Sequence, residues 1–156
     1  SELIFAGFEK NPYYEKLEKL SEECLKNQGK KKIVLNAHLK REEILDLYRT
    51  ADVFVCSSKS ETWSIVAHEA AAAAMPIIST DVGVYGEIEG AFIVQNEEDM
   101  LEAMEKLYSS FDERKRRGEA EYRWLCTKGC RIEDKVDWLE KELLALRERR
   151  KEVGEN

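Results

Sequence analysis

Short apolar runs alternate along this chain with longer segments in which apolar residues recur every three or four positions. The short runs have the length of strands, and the longer segments have the spacing of helices with one buried face. Residues 52–56 are almost continuously apolar, which indicates a strand buried on both faces, as in a parallel sheet. The predicted strands are residues 3–6, 33–37, 52–56, 77–79 and 91–94.

Turn residues and apolar spacing define the predicted helices. Pro12 suits a helix start, and Pro76 ends the third helix. The alanines of residues 70–74 indicate close packing of that helix against a sheet, because larger side chains would hold the backbones apart. The fourth helix is expected to carry Leu101 and Tyr108 on its apolar face. The predicted helices are residues 12–28, 44–51, 65–74, 100–108, 111–126 and 132–146.

Strands that alternate with helices predict an α/β fold. The expected architecture is a doubly wound parallel sheet in three layers, αβα, with additional helices at the C-terminal end. The length of 156 residues suggests a single domain over residues 1–151 and a frayed tail at residues 152–156. Sheets of this kind bind ligands at the carboxyl ends of their strands. Those ends are predicted at Gly7 and at residues 37–40, 57–64 and 80–87.

The composition excludes several classes of protein. The chain has 25 basic and 32 acidic side chains, so its net charge of -7 argues against a broad nucleic-acid surface. No stretch approaches the length of a membrane span, and no signal segment is visible, so a cytoplasmic location is expected. Residues 112–151 carry more basic than acidic side chains, which fits a solvated helix face better than contact with an anionic surface.

Common cofactor and metal signatures are missing. The four cysteines form no C-x-x-C pair and the chain has two histidines, so no metal site is predicted and the thiols are expected to be reduced. There is no G-x-G-x-x-G after the first strand, no phosphate-binding G-x-x-x-x-G-K-[ST] and no G-x-S-x-G. The sequence therefore predicts no bound cofactor.

The most informative segment is residues 60–69, which leaves a buried strand and enters a helix. The first amides of that helix, predicted around Thr62 to Ile65, lack partners within the helix and suit a diphosphate. Glu61 precedes them, and Glu69 lies about two turns in, roughly 9–12 Å away at about 1.5 Å per residue. That span suits a nucleotide sugar, because carboxylates accept hydrogen bonds from hydroxyls at both ends of such a ligand.

The spacing of Glu61 and Glu69 alone also fits a solvated loop residue at 61 and a surface helix residue at 69. Two features favour a binding site. Glu69 falls in an alanine-rich helix that is expected to be buried, where an unpaired carboxylate is costly. Glu61 and Glu69 also stand at the ligand-binding edge of the predicted sheet.

Glu61 and Glu69, with seven residues between them, resemble the motif of retaining glycosyltransferases with the GT-B fold, especially those of family 4. A wider stretch is also similar to that family: EEILDLYRTADVFVCSSKSETWSIVAHEAAAAAMPIISTDVG, residues 42–83. The order of strands, helices and loops resembles the family from residue 3 to about residue 146. This resemblance implies a Rossmann-like, nucleotide-sugar-binding half of a GT-B enzyme.

The resemblance also implies roles for individual residues. Glu61, the candidate catalytic residue, would contact and orient the hydroxyls of the donor sugar, and Glu69 would hold the ribose. Ala37, His38 and Leu39 match the segment that flanks the nucleobase, although His38 fits a polar loop residue equally well. His68 is expected on the helix surface. The implied substrate-binding residues are Gly7, Ala37, His38, Leu39, Thr62, Trp63, Ser64, Ile65 and Glu69.

The implied reaction is transfer of a hexosyl group, with retention, from a UDP- or GDP-linked sugar to a glycan or glycolipid, without a metal. In the family, the phosphate-clamping Arg and Lys lie upstream of the strand that opens this chain. The chain is therefore expected to be the C-terminal donor-binding half, inactive without an N-terminal acceptor-binding domain. Peripheral association of the full enzyme with the inner membrane surface is a further expectation.

Two alternatives remain open at this stage. Ala74 and Val84 stand where the family commonly has glycine, which favours a non-catalytic nucleotide-binding or interaction module that kept the fold. The other alternative is half of an epimerase with the same fold. Nucleotide binding separates the first alternative from a transferase, and the product formed from a nucleotide sugar separates the second.

Overall fold

The computed structural model describes residues 2–7, 12–28 and 32–128, and the single positions 136, 140, 141 and 144. These four single positions are helical, and the rest of the predicted helix over 132–146 lies outside the described residues. The chain divides into two compact units, Ser1–Thr50 and Ala51–Asn156. The expectations of a single domain over residues 1–151 and of a frayed tail stay predictions.

The first unit contains two parallel strands and two helices, in the order β1 (Glu2–Gly7), α1 (Pro12–Gln28), β2 (Lys32–Ala37) and α2 (Arg41–Thr50). The two strands pair directly along their full length, from Glu2 opposite Lys32 to Gly7 opposite Ala37. Parallel neighbours need a crossover connection, and α1 supplies it. The Tyr14 hydroxyl of α1 donates a hydrogen bond of 3.1 Å to the carbonyl oxygen of Leu35.

The second unit contains a three-stranded parallel sheet in the order β3-β4-β5. The predicted α/β class with parallel strands is therefore confirmed, with the described strands hydrogen-bonded in two sheets. A short 3-10 helix, Tyr85–Glu87, follows β4. The elements of this unit are β3 (Phe54–Cys56), α3 (Ile65–Ala72), β4 (Ile77–Thr80), β5 (Phe92–Val94), α4 (Glu97–Ser109) and α5 (Phe111–Thr127).

The core of the second unit forms between the sheet and α4. It contains Ile78 and Val94 from the strands and Ala103 and Leu107 from the helix, with Met100 and Met104 partly buried beside them. These helix positions form a single stripe with the spacing of one helical face. The expectation for Leu101 and Tyr108 was wrong, because each lies one position beyond the stripe and is mostly exposed.

Helix α5 packs against α3 through a glycine. The buried side chains of α3 are alanines, and Gly118 of α5 lies so close to the carbonyl group of Ala74 that a Cβ at residue 118 would overlap it. Ala74 has a φ of 51°, in the left-handed region. The alanines thus permit close packing, as predicted, and they do so against a helix as well as against the sheet.

Arg117 connects α5 to the start of β5. Its guanidinium lies 3.4 Å from the centre of the Phe92 ring and donates to the carbonyl oxygen of Gly90. It also donates a 2.8 Å hydrogen bond to Glu113. Hydrogen bonds from Arg116 and Arg117 lower the pKa of Glu113 to about 2.

Glu121 is fully buried between α5 and β4. One carboxyl oxygen accepts a 3.0 Å hydrogen bond from the backbone N–H of Ile77. Burial raises the pKa of Glu121 to about 8, so the side chain is mostly protonated at neutral pH. No pattern in the sequence indicates this burial, because glutamate is rarely buried and residue 121 lies in a charged segment.

The substitution Gly118→Ala should destabilise the protein by about 2–3 kcal/mol, because the new methyl group would push α5 away from Ala74. In an exposed helix the same change would stabilise by about 1 kcal/mol. Urea unfolding measures the difference. Lys115→Ala, at an exposed position of the same helix, serves as the control, and a stabilised Gly118→Ala variant would contradict the close contact.

The pH dependence of stability should report the protonation of Glu121. A glutamate titrates near 4.5 in the unfolded chain, whereas Glu121 titrates near 8 in the folded protein. Between these values the folded state binds more protons, so stability falls as pH rises from about 4.5 to about 8 and then levels off.

Glu121→Gln should remove that loss. Its free energy of unfolding, measured by urea denaturation, should stay level across this pH range while that of the unsubstituted protein falls. The difference between the two proteins should therefore grow with pH and reach a few kcal/mol near pH 8. Glu119→Gln, on an exposed part of α5, should keep the original profile. If stability depends on pH in the same way in Glu121→Gln and in the unsubstituted protein, the pKa of Glu121 is not raised.

Candidate functional site

Hydrogen bonds hold the loop of residues 57–64, between β3 and α3, around Glu61. The Ser58 hydroxyl donates to a carboxylate oxygen of Glu61 at 2.9 Å. The Thr80 hydroxyl, at the end of β4, donates to the carbonyl oxygen of Ser58 at 2.6 Å. Glu61 is thus tied within its own loop, and that loop is tied to the next strand at the predicted ligand-binding edge.

Gly83 brings the loop after β4 against Glu61. A Cβ at residue 83 would lie 3.0 Å from the Cβ of Glu61 and 3.3 Å from the carbonyl oxygen of Thr62. Gly83 also has a φ of 54°, which favours glycine. Both the tight space and the backbone conformation therefore favour glycine at this position.

Ser64 forms the turn from the loop into α3. It is buried and has a φ of 56°, in the left-handed region. Its hydroxyl does not cap the helix but makes a 2.8 Å hydrogen bond with the hydroxyl of Tyr85. Burial raises the pKa of Tyr85 above its ordinary value, so its hydroxyl stays protonated. After the contact of Gly83 with Glu61, this hydrogen bond is a second connection between the loops that follow β3 and β4.

His68 lies between two tryptophans. Its ring stacks on that of Trp63, with centroids 5.1 Å apart, and is tilted against that of Trp124 at 5.8 Å. Its Nδ1 is 3.0 Å from the carbonyl oxygen of Ser64. The expectation of a surface histidine was therefore wrong, because α5 covers this side of α3. The sequence does not show which face of α3 meets α5.

Helix α3 begins where the sequence predicts it, but two of the amides that were expected in its first turn lie before it. The helix begins at Ile65, so the amides of Thr62 and Trp63 precede it instead of belonging to its first turn. The helical rise accounts for about 6 Å between Ile65 and Glu69, which lies in the second turn and is partly buried. Ile65, the first residue of α3, is 72% exposed.

The structure brings the predicted residues of the first unit together at one sheet edge. Gly7 and Ala37 end neighbouring strands and face each other in register. His38 follows with a φ of 59° and an exposed side chain, and Leu39 is partly buried. In the second unit, Glu61, Thr62, Trp63 and Ser64 occupy one loop. The ligand contacts assigned to all these residues stay predictions.

Neither a metal cluster nor a membrane helix is found in the described part of the chain. No three His, Cys, Asp or Glu side chains there are grouped so that they could hold a metal ion. None of the helices in that part combines the length and the apolar character that crossing a bilayer requires.

The hydrogen bond between Ser64 and Tyr85 should be measurable in a double-mutant cycle. Ser64→Ala and Tyr85→Phe should each lower the free energy of unfolding by about 1 kcal/mol. The double variant should lose less than the sum, because both changes remove the same interaction. Urea unfolding of the four proteins gives the coupling energy. Tyr108→Phe, at an exposed position, is the control, and additive losses would contradict a direct bond.

Solved structures of glycosyl transferases have a similar fold. The C-terminal domain of a glycosyl transferase group 1 family protein (LpcC) from Francisella tularensis is 22% identical, with a TM-score of 0.67 over 81% of this chain and 84% of that one. Sucrose-phosphate synthase (tll1590) from Thermosynechococcus elongatus is 18% identical, with a TM-score of 0.68 over 93% of this chain and 38% of that one.

AviGT4, a glycosyltransferase involved in avilamycin A biosynthesis, is 21% identical, with a TM-score of 0.50 over 85% of this chain and 41% of that one. The chain thus spans about two fifths of the length of AviGT4 and of the synthase. At these identities the likeness concerns the fold. No curated protein sequence gives a significant match.

Residues 2–124 match the family model described as "Glycosyl transferases group 1". This match includes all the described strands and the whole segment from Glu61 to Glu69. Because it covers well over half of the 156 residues, the chain belongs to the group 1 glycosyl transferase family.

Proposed function

We propose that this chain is the donor-binding half of a retaining glycosyltransferase. The enzyme transfers a hexosyl group from a UDP- or GDP-linked sugar to a glycan or glycolipid acceptor. The observation that carries the proposal is the contact of two strand-end loops around Glu61, beside the start of α3. Family membership supports the reaction class.

The start of α3 binds the diphosphate in this proposal. The N-terminal end of a helix presents backbone N–H groups, and its dipole favours a negative charge. In α3 the N–H of Ala67 donates to the carbonyl oxygen of Ser64 at 3.2 Å, and the N–H of Ile65 lies nearest the helix start. The Ser64 hydroxyl does not cap this turn, because it bonds to Tyr85 instead. The same amides stabilise the charge that grows on the departing diphosphate as the bond to the sugar breaks.

The two glutamates bind hydroxyl groups at opposite ends of the donor. The Ser58 hydroxyl fixes one carboxylate oxygen of Glu61, and the carboxylate has further lone pairs to accept hydrogen bonds from the sugar. Glu69, in the second turn of α3, accepts from the ribose. Glu61 acts by orienting the sugar. Gly7, Ala37, His38 and Leu39 flank the nucleobase.

A second domain completes the enzyme in this proposal. The chain spans about two fifths of two longer enzymes of similar fold. An N-terminal acceptor-binding domain supplies the acceptor site, and this chain alone has no turnover. A cytoplasmic location, with the full enzyme associated peripherally with the inner membrane surface, belongs to the same proposal.

Titration of the full chain with UDP, GDP and the corresponding nucleotide sugars, followed by chemical shifts, tests the donor assignment. Glu69→Gln should weaken binding of the nucleotide itself by about tenfold, because a charge-assisted hydrogen bond to the ribose is weakened. Glu61→Gln should leave binding of the free nucleotide unchanged and weaken binding of the nucleotide sugar by a similar factor.

Glu105→Gln, at an exposed position of α4, is the matched control. The absence of saturable shifts at millimolar UDP and GDP would overturn the donor-binding function. Nucleotide binding that ignores both glutamate substitutions would favour the non-catalytic module.

A further inference from the structure

One imidazole connects the loop of residues 57–64 to α5. The His68 ring lies between the indole of Trp63, in that loop, and the indole of Trp124, in α5. Trp63 is 52% exposed, whereas Trp124 is 3% exposed. The stack therefore leads from a half-exposed side chain beside Glu61 to the interior of the second unit.

The hydrogen bond of His68 identifies its tautomer. Nδ1 lies 3.0 Å from the carbonyl oxygen of Ser64, and that oxygen can only accept. Nδ1 therefore carries the hydrogen. The carbonyl belongs to the residue whose left-handed conformation turns the loop into α3. The same carbonyl oxygen also accepts a 3.2 Å hydrogen bond from the backbone N–H of Ala67. The bond from His68 therefore adds a side-chain restraint to the peptide that joins Ser64 to Ile65.

Both rings of the contact between His68 and Trp124 carry a buried polar atom without a partner, and a third such atom lies one turn earlier in α5. In the part of the chain that the structure describes, the buried side-chain atoms without a hydrogen-bond partner are His68 Nε2, Trp124 Nε1 and Glu121 Oε2. Each such atom costs free energy that apolar side chains of similar size would not cost. A contact made only for packing would have no need of them, so their presence points to a role of the imidazole beyond filling space.

We propose that His68 is a positioning residue of the donor site. Its Nδ1–H holds the carbonyl of Ser64, so that the start of α3 keeps its arrangement, and its ring packs against the indole of Trp63. The effect on donor binding rests on the proposed function. The restraint on the loop is independent of it.

Two substitutions separate the hydrogen bond from the ring. His68→Phe keeps an aromatic ring between the tryptophans and removes the donor. His68→Asn removes the ring, whereas its side-chain amide can take the position of Nδ1 and donate to Ser64. Ala72→Asn, at an exposed position of α3, controls for the effect of asparagine on the helix.

Nucleotide affinity is the first measurement, by titration of the full chain with UDP and GDP. His68→Phe should weaken binding on the order of fivefold, the effect of losing about one hydrogen bond. His68→Asn should restore the affinity to within about twofold of the unsubstituted protein. Equal affinity in His68→Phe and the unsubstituted protein would overturn the positioning role, as would a failure of asparagine to rescue it.

The second measurement needs no ligand. In ¹H–¹⁵N spectra, His68→Phe should shift the amide of Ile65, which follows the Ser64 carbonyl, and His68→Asn should shift the indole N–H of Trp63, assigned with Trp63→Phe. If no nucleotide binds the unsubstituted chain, the proposed function fails, and these shifts still decide on the restraint. An unchanged Ile65 amide in His68→Phe would overturn the proposal.

Discussion

The close approach of α5 to α3 is the constraint on which the second unit depends. It is possible because α3 buries alanines and α5 offers Gly118 at the point of contact with the carbonyl of Ala74. The next turn of α5 brings Glu121 to the backbone N–H of Ile77, where β4 begins. One turn further, Trp124 reaches the His68 ring. A single face of α5 thus contacts the turn after α3, the start of β4 and the ring of His68.

Much of this architecture could be predicted from the sequence, since apolar periodicity and turn residues report local structure directly. Every described strand and helix lies close to a predicted one, and the α/β class was correct. The errors concern side chains whose surroundings depend on distant elements. Leu101 and Tyr108 are apolar but lie outside the buried stripe of α4. His68 and Glu121 are polar, but α5 places Trp124 against the partly buried His68 ring and buries Glu121 completely, which no local pattern encodes.

In the candidate site, too, the residues could be predicted from local sequence but their contacts with distant elements could not. Glu61 and Glu69 were selected from their spacing and from a family resemblance. The group 1 glycosyl transferase family is confirmed, whereas family 4, the retaining reaction and the role of the two glutamates stay predictions. The supporting contacts were not foreseen, because Ser58, Gly83 and Tyr85 act across two loops. Gly83 carried a weak signal, as a glycine in a loop, but its neighbour could not be inferred without the strand order. Ala74, which stands where the family commonly has glycine, adopts a positive φ of 51°.

The pairing of β3 with β4 determines the geometry of the two loops. Cys56 and Ser79 lie opposite each other at the ends of these strands, and each loop starts within a residue or two of that pair. A slip of one residue in this pairing would turn the side chains of β4 to the opposite face of the sheet. It would also carry Gly83 away from Glu61. The alignment of these two short strands therefore sets how closely Gly83 and Glu61 approach each other at the surface of the second unit.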